Sequence, residues 1–136
     1  MLPSEVFASH SNLDQPFVAS VVEVLRRHGI PVWHSPTNIV GAQQWHDEIG
    51  AALRRCDWFV VFLSPNAVGS MWVKREVLYA LKENRYADKI IPLLYQPCDF
   101  ENLSWTLSLF QVVNFTGDFD AGCRDLLRVW GVGYKK

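Results

Sequence analysis

Two residues stand out for their chemistry. Trp72 and Glu76 lie four apart in Ser70-Met71-Trp72-Val73-Lys74-Arg75-Glu76. Ser70 is a favourable helix N-cap, and Val73, Val77, Ala80 and Leu81 then recur at helical spacing. Residues four apart share one helix face, so an indole and a carboxylate stand together beside an apolar stripe. A carboxylate so placed can stabilise developing positive charge or take a proton from water, and an indole can stack on a planar ligand. Most helix glutamates are simply solvated, and a tryptophan at a helix start often only caps the core edge. The stretch before this pair argues for more. Trp58-Phe59-Val60-Val61-Phe62-Leu63 is an unbroken apolar run, too short to span a membrane and without the alternation of a half-exposed strand. It reads as a strand buried on both faces, ended by Ser64-Pro65. The pair thus follows the carboxyl end of a central strand, where open α/β sheets bind ligands.

Other polar and aromatic residues gather near the same edge. Ser9 and His10 end the first strand, at the sheet edge where Ser64 ends the central one, and can hydrogen-bond a ligand. His10 as a general base competes with its plainer reading as a loop histidine. Trp33 and Trp45 flank the loop 35–44 and can wall a pocket, although Trp45 is in phase with Ile49 and Leu53 and so also fits a core. Pro36 and Gly41 lie in that loop, where Gly41 permits a hinge or a positive φ. His46-Asp47-Glu48 is no metal site, because adjacent helix residues point in different directions. With no Cys/His cluster either, no metal is expected.

These residues need a scaffold of alternating strands and helices. Val6-Phe7-Ala8-Ser9 is a first strand. Asp14 is an expected N-cap with Pro16 in the first turn, and Phe17, Val18, Val21, Val22 and Leu25 form the helical stripe that Gly29 closes. Ile30-Pro31-Val32-Trp33 is a second strand, placed at an edge by the donor that Pro31 lacks. A helix through Trp45 and Leu53, the buried strand and the helix after Ser70 follow. Further strands are expected at 89–95 and 112–115, a short helix at 103–107, and a last helix through Phe119 and Trp130. Pro92 is awkward within its strand. This pattern predicts an α/β fold with one parallel sheet, helices on both faces and right-handed crossovers.

The 136 residues are read as one domain, 1–136, compatible with excision from a longer protein that carries a fused sensor. A net charge of −1 gives no pull toward nucleic acid or an anionic membrane. Three scattered cysteines, with no basic leader and no span-length apolar run, predict a soluble cytoplasmic protein without disulfides.

The chain resembles a TIR domain over nearly its whole length. Val6 to Ser11 is similar to the family's opening strand, Gly29 to Trp33 to its second, and Gly41-Ala42-Gln43-Gln44-Trp45 with Ile49 to the end of the BB loop and its helix. Cys56 to Pro65 resembles the third-strand box, and Ile90-Ile91-Pro92-Leu93-Leu94 the Ile-Pro strand, which accounts for Pro92. Ser70-Met71-Trp72-Val73-Lys74-Arg75-Glu76 is similar to the Ser-x-Trp-x-x-x-Glu signature of members that cleave NAD+. One departure is that His34-Ser35 follows Trp33 where many members continue to an acid.

The resemblance implies a flavodoxin-like sheet of order 2-1-3-4-5. It also implies NAD+ as substrate rather than cofactor, with Glu76 catalytic at the nicotinamide–ribose bond. Ser9, His10, Trp33, Trp45, Ser64, Ser70 and Trp72 are then expected around the substrate, and Pro36 and Gly41 in the loop used for assembly. The implied biology is an effector activated by TIR–TIR self-association, in anti-phage defence if the source is bacterial. Two alternatives remain open: a non-enzymatic TIR scaffold and a nucleoside deoxyribosyltransferase-like enzyme. A response-regulator receiver does not fit, because Ser64-Pro65 and Ser9-His10 occupy the positions where it needs carboxylates.

Overall fold

The computed structural model describes residues 2–35 and 42–136, with 42–45 described through their helical backbone alone. The strands are β1 (Val6–Ser9), β2 (Val32–His34), β3 (Trp58–Leu63), β4 (Ile90–Leu94) and β5 (Val113–Asn114). They form one five-stranded sheet in the order β2-β1-β3-β4-β5, and every pairing is parallel. The helices are α1 (Gln15–Arg27), α2 (Ala42–Arg55), α3 (Pro65–Val68), α4 (Met71–Lys82) and α5 (Phe119–Arg128). The expected fold class and strand order are the ones observed.

Successive side chains of a strand point to opposite faces, and this divides the core in two. Val6, Ala8, Val60, Phe62, Ile91 and Leu93 pack with Val21 and Leu25 of α1 and Cys123 and Leu127 of α5. Phe7, Phe59, Val61, Leu63 and Ile90 pack with Ile49 and Leu53 of α2 and Val73 and Val77 of α4. The central strand is buried along five of its six residues, which explains its unbroken apolar sequence.

Pro31, Pro92 and Gly29 sit where backbone chemistry allows them. Pro31 directly precedes the edge strand β2. Gly29 follows α1 at φ +84°, the left-handed conformation that ends helices. In β4, Lys89 C=O accepts from Phe59 and Tyr95 N–H donates to Leu63, so odd-numbered residues face β3. Pro92 therefore turns its nitrogen toward β5, whose pairing begins only opposite Leu93. The missing donor removes no bond to β3.

Some local expectations are corrected. Ser64-Pro65 does not simply end β3: Ser64 accepts from Ala67 N–H at 3.1 Å and caps the short α3. The helix expected at 103–107 is replaced by two 3-10 turns, Phe100–Asn102 and Trp105–Leu109. Asp14 occupies the N-cap position of α1 but makes no capping bond. Its carboxylate accepts instead from Ser64 Oγ and from Asn66 Nδ2, the latter at 3.0 Å.

Candidate active site

Glu76 sits on the second turn of α4, over the carboxyl end of β1. Ser70 sets that position by accepting from Val73 N–H at 3.2 Å and so fixing the first turn. The Glu76 side chain points inward beside Val73 and Val77, and the residue is only 8% exposed. Ser9 ends β1 on the same face of the sheet. Its hydroxyl donates to Glu76 Oε1 at 2.7 Å, the carboxylate's one hydrogen bond among the described residues. Burial pushes the carboxyl up from its ordinary 4.5 to about 7, and the Ser9 hydroxyl offsets part of that rise. Glu76 is thus poised between acid and base near neutral pH.

Glu76 and Trp72 line two adjoining spaces. A small pocket of about 60 Å³ at the sheet edge also touches His10, Trp33 and Ser70. A larger cleft of about 450 Å³ runs between α2 and α4. Aromatic surface backs the small pocket. Trp33 stacks on Phe7 at 5.0 Å between ring centroids, and Phe7 stacks on Phe59 at 5.5 Å. His46 meets Trp72 edge-on at 6.2 Å across the cleft.

Of the sequence-derived candidates, Glu76, Trp72, Ser9, His10, Trp33 and Ser70 come together here. His10 does so with both ring nitrogens engaged: Nδ1–H donates to Ala8 C=O at 3.0 Å, and Nε2 lies 2.9 Å from the Gln15 amide oxygen. A ring held at both nitrogens is a positioned wall rather than a free base. Ser64 is not part of the group. It is fully buried and lines neither space. Strand alternation is the reason: Ser9 pairs in register with Val61 and shares its face, whereas Ser64, three residues further, falls on the opposite one. Trp45 lies in α2, but its side chain, like Pro36 and Gly41, falls outside the described residues.

Several residues that line these spaces are not among the sequence-derived candidates. Phe7 and Asn12 line the small pocket, and His46, Gly50, Arg54, Arg75 and Tyr79 line the cleft. The cleft residues carry a readable signal, since His46, Gly50 and Leu53 recur at helical spacing on α2 as Trp72, Glu76 and Tyr79 do on α4. At the start of β2's loop, burial lowers the His34 pKa, with nearby His10 and Arg26 adding to the effect. Its Nδ1 is buried without a hydrogen-bond partner among the described residues.

A family model described as TIR domain matches residues 6–127. The TIR domain of the Toll-related receptor TRR-2 from the lower metazoan Hydra magnipapillata superposes with a TM-score of 0.73 at 21% identity, covering 91% of this chain and 95% of that one. The TIR domains in the activated Roq1 resistosome, which directly recognises the pathogen effector XopQ, give 0.71 at 15% identity, with 93% and 98% covered. At these identities the likeness speaks for the fold. No curated protein matches the chain.

Proposed function

The chain belongs to the TIR domain family, and from that premise we propose that it cleaves NAD+ at the nicotinamide–ribose bond, with Glu76 as the catalytic carboxylate. The products are nicotinamide and ADP-ribose or a cyclic isomer of it. One observation carries the reading. Glu76 is a buried carboxylate with a single hydrogen bond among the described residues, and it lines both open spaces. Asp14 supplies the contrast: it is equally buried, is bonded to both Ser64 and Asn66, and lines neither space. Burying a carboxylate with so little compensation costs stability, as catalytic sites commonly do.

The chemistry suits a lone carboxylate. The nicotinamide ring of NAD+ is already a pyridinium cation and leaves as a neutral base when it takes the C–N electron pair, so no acid need protonate it and the positive charge passes to the sugar. The transition state is oxocarbenium-like, and a carboxylate beside the anomeric carbon stabilises it. The Ser9 hydroxyl holds one oxygen of Glu76, which leaves the other for the sugar hydroxyls or for water. Trp72 and Trp33 offer faces for the planar ring. Among the described residues no helix is long and apolar enough to cross a membrane.

Activation by self-assembly, in an immune role, completes the proposal. Closure of the site on association is the expected device. The resistosome setting of the Roq1 TIR domains supports assembly as a mode for this fold. A scaffold without chemistry is the competing reading. To separate the two, the clustered domain is incubated with NAD+ and the products are resolved by chromatography. Nicotinamide with a stoichiometric ADP-ribose species supports the enzyme. Intact NAD+ at every degree of clustering supports the scaffold.

A further inference from the structure

We propose that the cleft between α2 and α4 is an anion subsite, in which Arg54 and Arg75 hold the diphosphate of the dinucleotide. This rests on the reading of Glu76 as the residue at the scissile bond. The small pocket beside Glu76, about 60 Å³, has room for little more than one ring. Glu76 and Trp72 are walls of both spaces, so a ligand with its glycosidic bond at Glu76 continues into the cleft. That cleft, at about 450 Å³, is of the size that takes small-molecule ligands.

The cleft wall is largely apolar, and Arg54, Arg75, Trp72 and Tyr79 stand on it. Among the described residues, neither Arg54 nor Arg75 has a carboxylate partner within ion-pair distance. The Arg75 guanidinium lies 5.4 Å from the Trp72 ring centroid, a cation–π contact that leaves its N–H groups for an anion. Gly50 adds an independent observation. It lies inside α2, where glycine is less favourable than alanine. A Cβ there would come within 3.3 Å of the Arg54 guanidinium, which lies over this position. With no side chain at Gly50, the Arg54 guanidinium lies close against α2 on the cleft wall. Arg85 donates to Arg54 C=O and Tyr86 Oη to Leu53 C=O, which fixes the end of α2 that presents Arg54.

The test is direct binding, independent of turnover. Titration calorimetry compares ADP-ribose, ADP and adenosine on wild type and on the Arg54→Gln/Arg75→Gln double variant, with circular dichroism as a fold check. Wild type is expected to bind ADP-ribose and ADP with affinities that fall as salt rises, and adenosine at least tenfold more weakly. The double variant should lose tenfold or more for ADP-ribose and ADP and little for adenosine. With NAD+ as substrate, KM should rise tenfold or more with a smaller effect on kcat, and the rise in KM should be far smaller for nicotinamide riboside, which carries no diphosphate. ADP-ribose bound equally by wild type and variant, or by neither, overturns the subsite. Loss of turnover in Glu76→Gln with unchanged binding in the arginine variant leaves the catalytic reading standing and the subsite refuted. Arginine-dependent ADP binding without any NAD+ cleavage leaves the subsite standing and the catalytic reading refuted.

Discussion

At the scale of single residues, one proton on Glu76 links stability to activity. Burial raises its pKa from 4.5 to about 7. Between those values the folded state holds a proton that the unfolded state has lost, so the contribution to stability falls as pH rises across that window. Glu76→Gln keeps the shape of the protonated acid and never ionises. The variant should match wild type near pH 4 and exceed it by up to about 3 kcal/mol near pH 8; urea unfolding at both pH values checks this. Activity should run the other way. The ionised carboxylate is the working form, so kcat/KM should rise with pH and level off above about 7. Ser9 hydrogen-bonds the charged form, so Ser9→Ala should move that rise to higher pH. A pH profile unmoved by Ser9→Ala would mean that the 2.7 Å bond does not tune the base.

At the scale of elements, α4 and the carboxyl ends of β1 and β3 hold the site in register. Ser70 caps α4, and Ser70→Ala should cost about 1 kcal/mol in urea unfolding while loosening the turn that carries Trp72. Asp14 ties the β1–α1 loop to α3 through Ser64 and Asn66. Asp14→Ala strands the buried Ser64 hydroxyl and releases the exposed Asn66 amide, so a loss of about 1–3 kcal/mol is expected. How much of this was readable before folding depends on the interaction involved. Local periodicity made α1, β3 and α4 legible, because the stripe Val18, Val21, Val22 and Leu25 and the run Trp58 to Leu63 declare their own burial. The helical signature from Ser70 to Glu76 likewise brought Ser70, Trp72 and Glu76 to one place. Adjacency at a sheet edge does not tell which face a side chain takes, and only register puts Ser64 on the face opposite Ser9. The bonds of Asp14 are not legible locally, because its partners Ser64 and Asn66 lie about fifty positions away in sequence. The 3-10 turns after β4 carry no regular period to detect.

At the scale of the whole molecule, the parallel sheet puts distant segments at one carboxyl edge. Ser9, Trp33 and Ser70 meet around Glu76 because β1 lies between β2 and β3. Strand and helix alternation makes that order legible, and helical spacing groups the cleft residues on α2 and on α4, whereas the width of the cleft is not legible, since it depends on how the two helices lie on the sheet. Assembly is a molecular-scale property too. If it completes the site, specific activity should rise steeply when monomers are clustered on a scaffold, measured as nicotinamide released per domain. A dilute monomer with full specific activity would refute this. The central claim is that Glu76 cleaves the glycosidic bond, and its most direct measurement is the rate of nicotinamide release by the clustered domain in wild type and Glu76→Gln, both verified as folded. The account predicts a fall of about a hundredfold to a thousandfold in the variant. A Gln variant that cleaves NAD+ at the wild-type rate would contradict it.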